Sequence, residues 1–275
     1  MSVMTLSTDA VSYVCTLVRS RSAIELDAAK SYLIEARLSG VARRHGLSST
    51  SELVAQLRTK TDLELQRQVV EAMTTNETSF FRDNHPFEAL RKTLVPQFLT
   101  ARGAAKSLNI WSAACSTGQE AYSCAMLLRE SFPQLLNWKV QILGTDLSDD
   151  VLAKARAGRF SQIEMNRGLP ATLLTKYFSR QGLEWELRPE LRALASFRKL
   201  NLIENWGPMP TMDIVFLRNV LIYFSPETKK QILEKVRKVM APDGVLFLGA
   251  AETTLGLDAA FQRVQVENSV YYKLT

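Results

Sequence analysis

Residues 110–120 read Ile-Trp-Ser-Ala-Ala-Cys-Ser-Thr-Gly-Gln-Glu. An apolar strand from Leu108 to Ala113 runs into a loop of small residues that ends at Gly118, and a helical pattern follows from Glu120 to Ser131. Small residues at the carboxyl end of a strand let a ligand approach the backbone, and open α/β sheets bind their ligands there. The loop has neither a G-x-G-x-x-G pattern nor a Walker lysine, which argues against a dinucleotide or a triphosphate. An ordinary βα turn is the alternative interpretation.

Strands and helices continue to alternate after this stretch. Further strands are predicted at Lys139–Gly144, Asp213–Leu217, Val245–Gly249 and Val270–Lys273, and helices at Asp149–Ala157 and Pro226–Met240. Such alternation is typical of βαβ units and predicts an α/β fold with a Rossmann-like, doubly wound and mostly parallel sheet. Leu183–Leu187 alternates with period two, and we expect Ala195–Leu200 to pair with it in a small antiparallel β subdomain at about residues 180–200.

The first 75 residues contain helical patterns only. Ala28–His45 is predicted as a helix with Asp27 at its N-cap and Gly46 after its end. We therefore expect an all-helical N-terminal domain over residues 1–75, a linker over 76–90 and the α/β domain over 91–275.

Composition excludes several classes of protein. The 275 residues are 46% hydrophobic and 23% charged, which is ordinary for a folded chain, and the formal net charge of +6 favours an anionic partner. Cys15, Cys115 and Cys124 form no C-x-x-C motif, and no basic region followed by an apolar run opens the chain, so we expect a reducing cytoplasm. The apolar run Val245–Ala251 is too short to insert into a membrane, and two histidines make a metal site improbable. A monomer is the default.

An acidic residue at the end of the second strand indicates the ligand. Asp146 follows the glycine loop, and an acid there accepts the two hydroxyls of a ribose. The alternative is an N-cap for the helix that begins near Asp149. Together with a loop unsuited to pyrophosphate, Asp146 favours S-adenosylmethionine, whose adenosine needs such an acid. The strand end at Arg218-Asn219-Val220 is expected to face the same crevice.

A dense polar segment precedes the α/β domain. Residues 74–82 read Thr-Thr-Asn-Glu-Thr-Ser-Phe-Phe-Arg, and the segment offers an amide, hydroxyls and a guanidinium within one short stretch. An arginine there is able to pair with a carboxylate through two parallel hydrogen bonds. A helix cap and hinge is the alternative interpretation.

Four blocks of this chain resemble one known family. The blocks are T-N-E-T-x-F-F-R at 75–82, W-S-A-A-C-S-T-G-Q-E-A-Y-S at 111–123, T-D-L-S at 145–148 and F-L-R-N-V-L-I-Y-F at 216–224. In this order they resemble the chemotaxis receptor glutamate methyltransferases, the CheR family. The resemblance runs through nearly the whole chain, and its first and last blocks are far more specific than a lone glycine loop. Many members have Gly-Glu-Glu where this chain has Gly118-Gln119-Glu120.

The resemblance implies a function and a set of site residues. The protein is expected to transfer methyl groups from S-adenosylmethionine to glutamate carboxylates on the cytoplasmic helices of chemoreceptors, releasing S-adenosylhomocysteine. The helical domain over residues 1–75 would recognise the substrate, and the linker would contribute to the cofactor pocket. The implied cofactor-binding residues are Asn76, Thr78, Arg82, Glu120, Asp146, Asn201, Leu202, Asn219 and Val220. Arg82 is also the arginine expected nearest the methyl group, and Tyr223 is added as a second catalytic candidate, with a core aromatic as its alternative.

A basic face on the helix predicted over Ala28–His45 is the expected substrate surface. Lys30, Arg37 and Arg44 recur every seven residues and so lie along one stripe, and Arg43 adds charge on another side. Such a stripe is suited to steering the acidic methylation helix of a receptor. A solvated face is the alternative.

The sequence also bears on peptide binding and on two alternative functions. The chain between Tyr177 and Leu183 is short, whereas family members that bind a receptor's C-terminal pentapeptide have a longer loop, so we expect no tight peptide binding. An RNA methyltransferase, or one acting on another protein, would share the cofactor domain. No aromatic-flanked basic cluster or base-methylation motif supports a nucleic-acid partner. A non-catalytic scaffold is the third possibility.

Overall fold

The computed structural model describes residues 6–275. The chain forms two compact units. One comprises Met1–Thr75 and Tyr223–Thr228, and the other comprises Asn76–Ile222 and Lys229–Thr275. None of the helices in the described part of the chain is long and apolar enough to cross a membrane.

The first unit is built of helices whose starts are marked by side-chain caps. It contains α1 (Thr8–Ser22), a 3₁₀ turn (Ala28–Lys30), α2 (Ser31–Arg44), α3 (Thr50–Thr59) and α4 (Leu63–Met73). Ser7, Ser49 and Asp62 accept backbone N–H groups in the first turns of α1, α3 and α4, which satisfies donors that a helix start leaves unpaired. The predicted cap Asp27 instead accepts the N–H of Ala29 in the 3₁₀ turn.

The second unit is organised around a seven-stranded sheet. Its strands are β1 (Ser107–Ala113), β2 (Lys139–Asp146), β6 (Ala195–Lys199), β7 (Met212–Leu217), β8 (Met240–Leu248), β9 (Phe261–Val266) and β10 (Ser269–Leu274), in the spatial order β6-β2-β1-β7-β8-β10-β9. The first five strands in this order run parallel, and β10 and β9 are antiparallel. The predicted Rossmann-like fold is confirmed, and the carboxyl ends of five parallel strands therefore meet at one edge.

Helices and a second, smaller sheet complete this unit. The helices are α5 (His85–Ala89), α6 (Val95–Ala101), α7 (Gln119–Ser131), α8 (Asp149–Ala157), α9 (Gln162–Met165), α10 (Ala171–Tyr177), α11 (Pro189–Arg192) and α12 (Pro226–Val239), with a π-helical turn at Leu90–Leu94. Trp111, Tyr122 and Phe216 are fully buried. The small antiparallel sheet consists of β3 (Arg159–Ser161), β4 (Phe178–Gln181) and β5 (Glu184–Leu187) in the order β3-β5-β4.

The predicted pairing of Ala195–Leu200 with Leu183–Leu187 is wrong. Residues 195–199 form β6, which pairs in parallel with β2 at the edge of the large sheet, and β5 pairs instead with β3 and β4. The physical reason lies in the register partner Gly144. A Cβ at this glycine would lie 2.4 Å from the ring of Phe197, so its absence makes room for that aromatic side chain against β2.

Candidate functional site

The carboxyl edge of the large sheet gathers the predicted cofactor residues of the second unit. The loop after β1 bonds to the end of β2, where Cys115 N donates to Thr145 O at 2.9 Å. The end of β6 bonds to the same strand, where Leu200 N donates to Asp146 O at 2.9 Å. These backbone bonds place Asn201 and the glycine loop on either side of Asp146.

Asp146 is buried and held in one orientation by two backbone donors. Its Oδ2 accepts the N–H of Ser116 at 2.9 Å, and its Oδ1 accepts the N–H of Ser148 at 3.1 Å. The second bond is an Asx turn and not an N-cap of α8, because the N-cap residue of that helix is Ser148 and it carries no side-chain cap. These two bonds fix the orientation of the carboxylate at the tip of β2.

The loop after β1 adopts a conformation that few sequences tolerate. Ala114, Ser116 and Gly118 have φ angles of 55°, 50° and 93°. A Cβ on Gly118 would lie 3.0 Å from the Cβ of Ala155 and 3.2 Å from the ring of Phe197. Left-handed backbone at non-glycine residues is uncommon and clusters at ligand sites. The backbone of this loop is therefore unusual for a βα turn.

Cys115 reports on the electrostatics of this loop. Burial raises the pKa of its thiol well above the usual range, and the nearby carboxylates of Asp146 and Glu120 raise it further. The thiol is therefore protonated at neutral pH, and a reactive thiolate is excluded. Asp146 and Glu120, the two predicted cofactor-binding acids, therefore both lie close enough to Cys115 to raise the pKa of its thiol.

Arg218 links three parts of the site through its guanidinium. It lies directly after β7 with a side chain 2% exposed, and its Nη1 donates to Glu120 Oε2 at 2.9 Å. Its Nη2 donates to Asp83 Oδ2 at 2.6 Å and to Arg82 O at 3.0 Å. Glu120 also accepts the hydroxyl of Ser112 at 2.7 Å. The sequence placed Arg218 at the crevice but not among the site residues, because its partners are far away in the chain.

Hydrogen bonds between serine side chains and its own backbone hold the polar segment over residues 74–82. Ser116 Oγ donates to Asn76 O at 2.8 Å, and the N–H of Phe81 donates to Ser123 Oγ at 2.9 Å. Phe80 is fully buried, and its carbonyl oxygen would lie 2.0 Å from a Cβ on Gly168. The segment is thus part of the folded second unit and not a free linker.

The predicted side chains of this segment differ in their surroundings. Asn76 is exposed, whereas Thr78 and Arg82 are half-buried. Arg82 Nη1 donates to Glu77 O at 3.0 Å, and Arg82 forms no ion pair with a carboxylate of residues 6–275. Phe81 and Asp83, on either side of Arg82, have φ angles of 47° and 64°. Left-handed backbone at these non-glycine residues is uncommon.

Glu252 organises the strand end that carries Asn219 and Val220, and sequence analysis missed it. Its carboxylate accepts the N–H of Asn219 at 2.8 Å, of Val220 at 2.9 Å, of Gly249 at 2.6 Å and of Ile222 at 3.3 Å. Asn219 has a φ of 58°. One carboxylate therefore holds the loop after β7 against the loop after β8. No motif marked Glu252, because its role depends on the neighbouring strands.

Asn201 and Leu202 lie in the turn after β6. Asn201 Nδ2 donates to Glu204 Oε1 at 3.0 Å, and Leu202 is buried with its carbonyl accepting Lys235 Nζ at 2.5 Å. The turn is fixed beside the end of β2 by the bond to Asp146 O described above. Both residues thus lie at the same edge as Asp146.

The remaining predicted site residues belong to the first unit. Tyr223 is half-exposed, ends a 3₁₀ turn (Leu221–Tyr223) and accepts the N–H of Glu25 through its carbonyl at 2.9 Å. Lys30 lies 3.7 Å from Asp27 in an exposed ion pair. Arg43 and Arg44 are exposed and form no ion pair with residues 6–275. Arg37 differs from these three, because its guanidinium is half-buried and bonded to Met73 O and Thr75 Oγ1.

The charged side chains at this edge fit S-adenosylmethionine. The carboxylates of Asp83, Glu120 and Asp146 lie at this edge, two of them paired with the buried guanidinium of Arg218. Residues 110–120 contain no lysine or arginine to hold a phosphate. A sulfonium and an ammonium are cationic, and an adenosine offers ribose hydroxyls to Asp146. The chemistry of this edge therefore matches that cofactor and does not match a polyphosphate.

Fold and site together define a Rossmann-like methyltransferase domain that uses S-adenosylmethionine. Residues 76–270 match the model of the CheR methyltransferase SAM binding domain, and residues 9–74 match the model of the CheR methyltransferase all-alpha domain. The chain belongs to the CheR methyltransferase family, as its sequence blocks indicated.

Named relatives match nearly the whole chain. Identity is 41% over 255 residues with "Chemotaxis protein methyltransferase 1" of Pseudomonas aeruginosa, covering 91% of this chain and 92% of that protein. It is 36% over 278 residues with "Chemotaxis protein methyltransferase 1" of Vibrio cholerae serotype O1, covering 100% of both. The predicted family, fold and cofactor are thereby confirmed.

Proposed function

We propose that this enzyme methylates glutamate side chains on the cytoplasmic helices of chemoreceptors, giving glutamate methyl esters and S-adenosylhomocysteine. The observation that carries the proposal is the setting of Arg82. The half-buried residue Arg82 has no carboxylate partner among residues 6–275, and its segment is bonded to the loop that also positions Asp146. The names of the relatives as chemotaxis methyltransferases support the same substrate.

The proposed chemistry needs little acid–base assistance. A glutamate side chain with a pKa of about 4.3 is almost fully ionised at neutral pH, so the nucleophile is present without a general base. The bound cofactor supplies an electrophilic methyl group on a sulfonium. A carboxylate oxygen forms the new C–O bond while the electron pair of the C–S bond goes to sulfur. The protein's contribution is alignment and the removal of water from the carboxylate.

Individual residues have distinct proposed roles. Asp146 binds the ribose hydroxyls, and Arg82 orients the attacking carboxylate and anchors the cofactor. Tyr223 is proposed as the second catalytic residue. The other proposed cofactor contacts are Asn76, Thr78, Glu120, Asn201, Leu202, Asn219 and Val220. A tight ion pair with Arg82 would reduce the nucleophilicity of the substrate carboxylate, so orientation is its proposed task rather than full charge neutralisation.

The receptor is proposed to approach α2 and to contact Lys30, Arg37, Arg43 and Arg44. Lys30, Arg43 and Arg44 are exposed on or beside this helix, and complementary charge raises the association rate with an acidic helix. We propose that a monomer of the enzyme acts in this way. Reversing the charge of Arg44 should lower the methylation rate at low salt and have little effect at high salt, because exposed charges are screened.

We further propose that methylation does not depend on a receptor C-terminal pentapeptide. The β4–β5 hairpin turns through Gly182 and Leu183 alone, which supports the short connection expected from sequence. Calorimetry with such a pentapeptide should detect no micromolar binding, and a dissociation constant in that range would contradict this proposal.

One labelling experiment tests the substrate class. Cofactor with a tritiated methyl group is incubated with receptor-containing membranes, with RNA as the matched alternative substrate. Base-labile label on the receptor identifies a carboxyl methyl ester. Label on RNA, or base-stable label on protein, would contradict the proposed function. Arg82→Ala should lose both cofactor affinity and transfer, whereas retention of both would contradict the role of Arg82.

A further inference from the structure

The turn after α9 contacts the chain over residues 76–82 at two points. Arg167 Nη2 donates to Glu77 Oε1 at 2.6 Å, so an ion pair joins the turn to the start of this segment. Gly168, the next residue, has a φ of 82°, and a Cβ on it would lie 2.0 Å from Phe80 O. Both contacts lie within the second unit. The turn therefore pairs with one side chain of the segment and packs against its backbone.

The small antiparallel sheet holds the same segment by aromatic packing. The fully buried ring of Phe80 contacts Phe160 of β3 and Phe178 of β4 edge to face, with ring centroids 5.1 Å and 5.8 Å apart. Buried aromatic pairs of this geometry stabilise a fold beyond the area that they bury. Phe80 is thus anchored in the core, whereas Glu77, three residues earlier, is exposed and is held through its pair with Arg167.

Glu77 connects the turn to the guanidinium of Arg82. The carboxylate of Glu77 pairs with Arg167, and its carbonyl oxygen accepts Arg82 Nη1 at 3.0 Å. Because one residue provides both groups, a shift of Glu77 moves the acceptor to which Arg82 is bonded. The orientation of the guanidinium therefore depends on a contact made by a turn that lies about 85 residues later in the chain.

We propose that Arg167 is a positioning residue for methyl transfer, acting through Glu77 on Arg82. Its ion pair restricts the motion of Glu77 and so holds the carbonyl that Arg82 bonds. Methyl transfer depends steeply on alignment, so a misdirected Arg82 lowers kcat while the cofactor still binds. The inference rests on the proposed role of Arg82 in orienting the substrate glutamate.

The test compares two exposed arginines of the same region that each pair with one glutamate. The side chains of Arg167 and Arg159 are 46% and 52% exposed, but the partner of Arg159 is Glu186 on β5. At saturating receptor, Arg167→Gln should lower kcat about two- to fivefold, and Arg159→Gln should stay within about 1.5-fold of the parent. Arg167→Lys should retain most of the kcat, because an ammonium also pairs with an exposed carboxylate. The dissociation constant of S-adenosylhomocysteine should stay within about twofold in all three variants.

A double-mutant cycle separates this route from a general loss of stability. Glu77→Gln removes the ion pair but keeps the carbonyl that Arg82 bonds, so it should lower kcat as Arg167→Gln does. The variant with both substitutions should be no slower than either single variant, because each of them removes the same interaction.

The exchange of one backbone amide tests the positioning role without any substrate. Phe81, the neighbour of Arg82, donates its N–H to Ser123 Oγ at 2.9 Å. This amide should exchange faster in Arg167→Gln than in Arg159→Gln, because only the first variant loosens the segment. Equal exchange in the two variants would overturn the inference.

The remaining outcomes distinguish this inference from the proposed function. Unchanged kcat in both Arg167→Gln and Glu77→Gln, losses that multiply in the double variant, or an equal loss in Arg159→Gln would each overturn the positioning role. Failure of the parent enzyme to label receptor glutamates would contradict the proposed function instead. The amide exchange comparison would then still decide the positioning role, because it needs no receptor.

Discussion

Replacing Arg218 with methionine should damage cofactor binding and stability together. Methionine keeps much of the side-chain volume but removes the donors to Glu120, Asp83 and the carbonyl of Arg82. The variant therefore tests whether the buried guanidinium holds the acid at the start of α7 and the segment around Arg82 in their working positions.

The expected magnitude follows from the burial of each partner. The Asp83 side chain is 46% exposed, so its pair with Arg218 contributes only about 0–1 kcal/mol. The Glu120 side chain is 12% exposed, and removing one partner of a buried pair costs about 3–5 kcal/mol, because the other charge is left uncompensated. A loss of that size lowers the Tm by roughly 5–9 °C in a protein of this length, because the unfolding entropy is about 2.1 cal/mol/K per residue.

Arg102 provides the matched control. It also bridges two carboxylates, those of Asp213 and Asp243, but it lies at the opposite edge of the sheet, where β7 begins. Arg102→Met should lower the Tm without weakening calorimetric binding of S-adenosylhomocysteine. Arg218→Met should weaken that binding at least about tenfold at a temperature where both variants are folded.

Two results would refute this reasoning. Normal cofactor affinity in Arg218→Met, with a lowered Tm, would reduce Arg218 to a structural ion pair. Equal loss of affinity in Arg102→Met would show that reduced stability alone causes the defect. Arg218→Lys should not restore binding, because an ammonium cannot reproduce the planar fork that reaches three acceptors.

Three other predictions concern Asp146, Gly168 and the cysteine thiols. Asp146→Asn should weaken S-adenosylhomocysteine binding about tenfold or more in calorimetry, because an amide group facing the N–H donor of Ser116 loses an acceptor; an unchanged dissociation constant would contradict the ribose assignment. Gly168→Ala should lower the Tm by several degrees in a melting experiment, since its Cβ would lie 2.0 Å from Phe80 O at a φ of 82°; an unaltered Tm would argue against this packing. Cys15 should be alkylated first in a mass-spectrometric time course at pH 8, because burial raises the pKa of the other two thiols far more; earlier modification of a buried cysteine would contradict that order.

The sequence predicted correctly those helices and strands whose ends are marked by neighbouring residues. The helix expected at Asp149–Ala157 has those bounds in the structure, and the predicted strand at Asp213–Leu217 differs by one residue. Both have strong periodicity and clear ends, so neighbouring residues alone define them. The strand β9 (Phe261–Val266) was missed although only two residues separate it from its partner β10, because its apolar residues do not alternate strictly and only Phe261 is buried.

Long-range pairing limited what the sequence predicted about the site. Period-two alternation does not show which strand will be a neighbour, and Ala195–Leu200 was therefore paired with the wrong one. Asp146 was proposed from sequence because its position at the end of a predicted strand is itself the signal. Arg218 and Glu252 gain their roles from partners about 98 and 33 residues away, and no spacing rule connects such residues.

Charge explains why the proposed reaction needs an Arg82 side chain that forms no ion pair with a carboxylate of the described residues. A sulfonium and a carboxylate combine to give a neutral thioether and a neutral ester, so a site of low dielectric constant favours the transition state over the separated charges. The carboxylates of Asp83, Glu120 and Asp146 favour the cationic cofactor but repel the incoming glutamate. A guanidinium already paired within the protein would not offset that repulsion. We infer that the strained backbone on both sides of Arg82, which leaves its guanidinium bonded to a carbonyl instead of a carboxylate, is what lets an acidic cofactor site accept an acidic substrate.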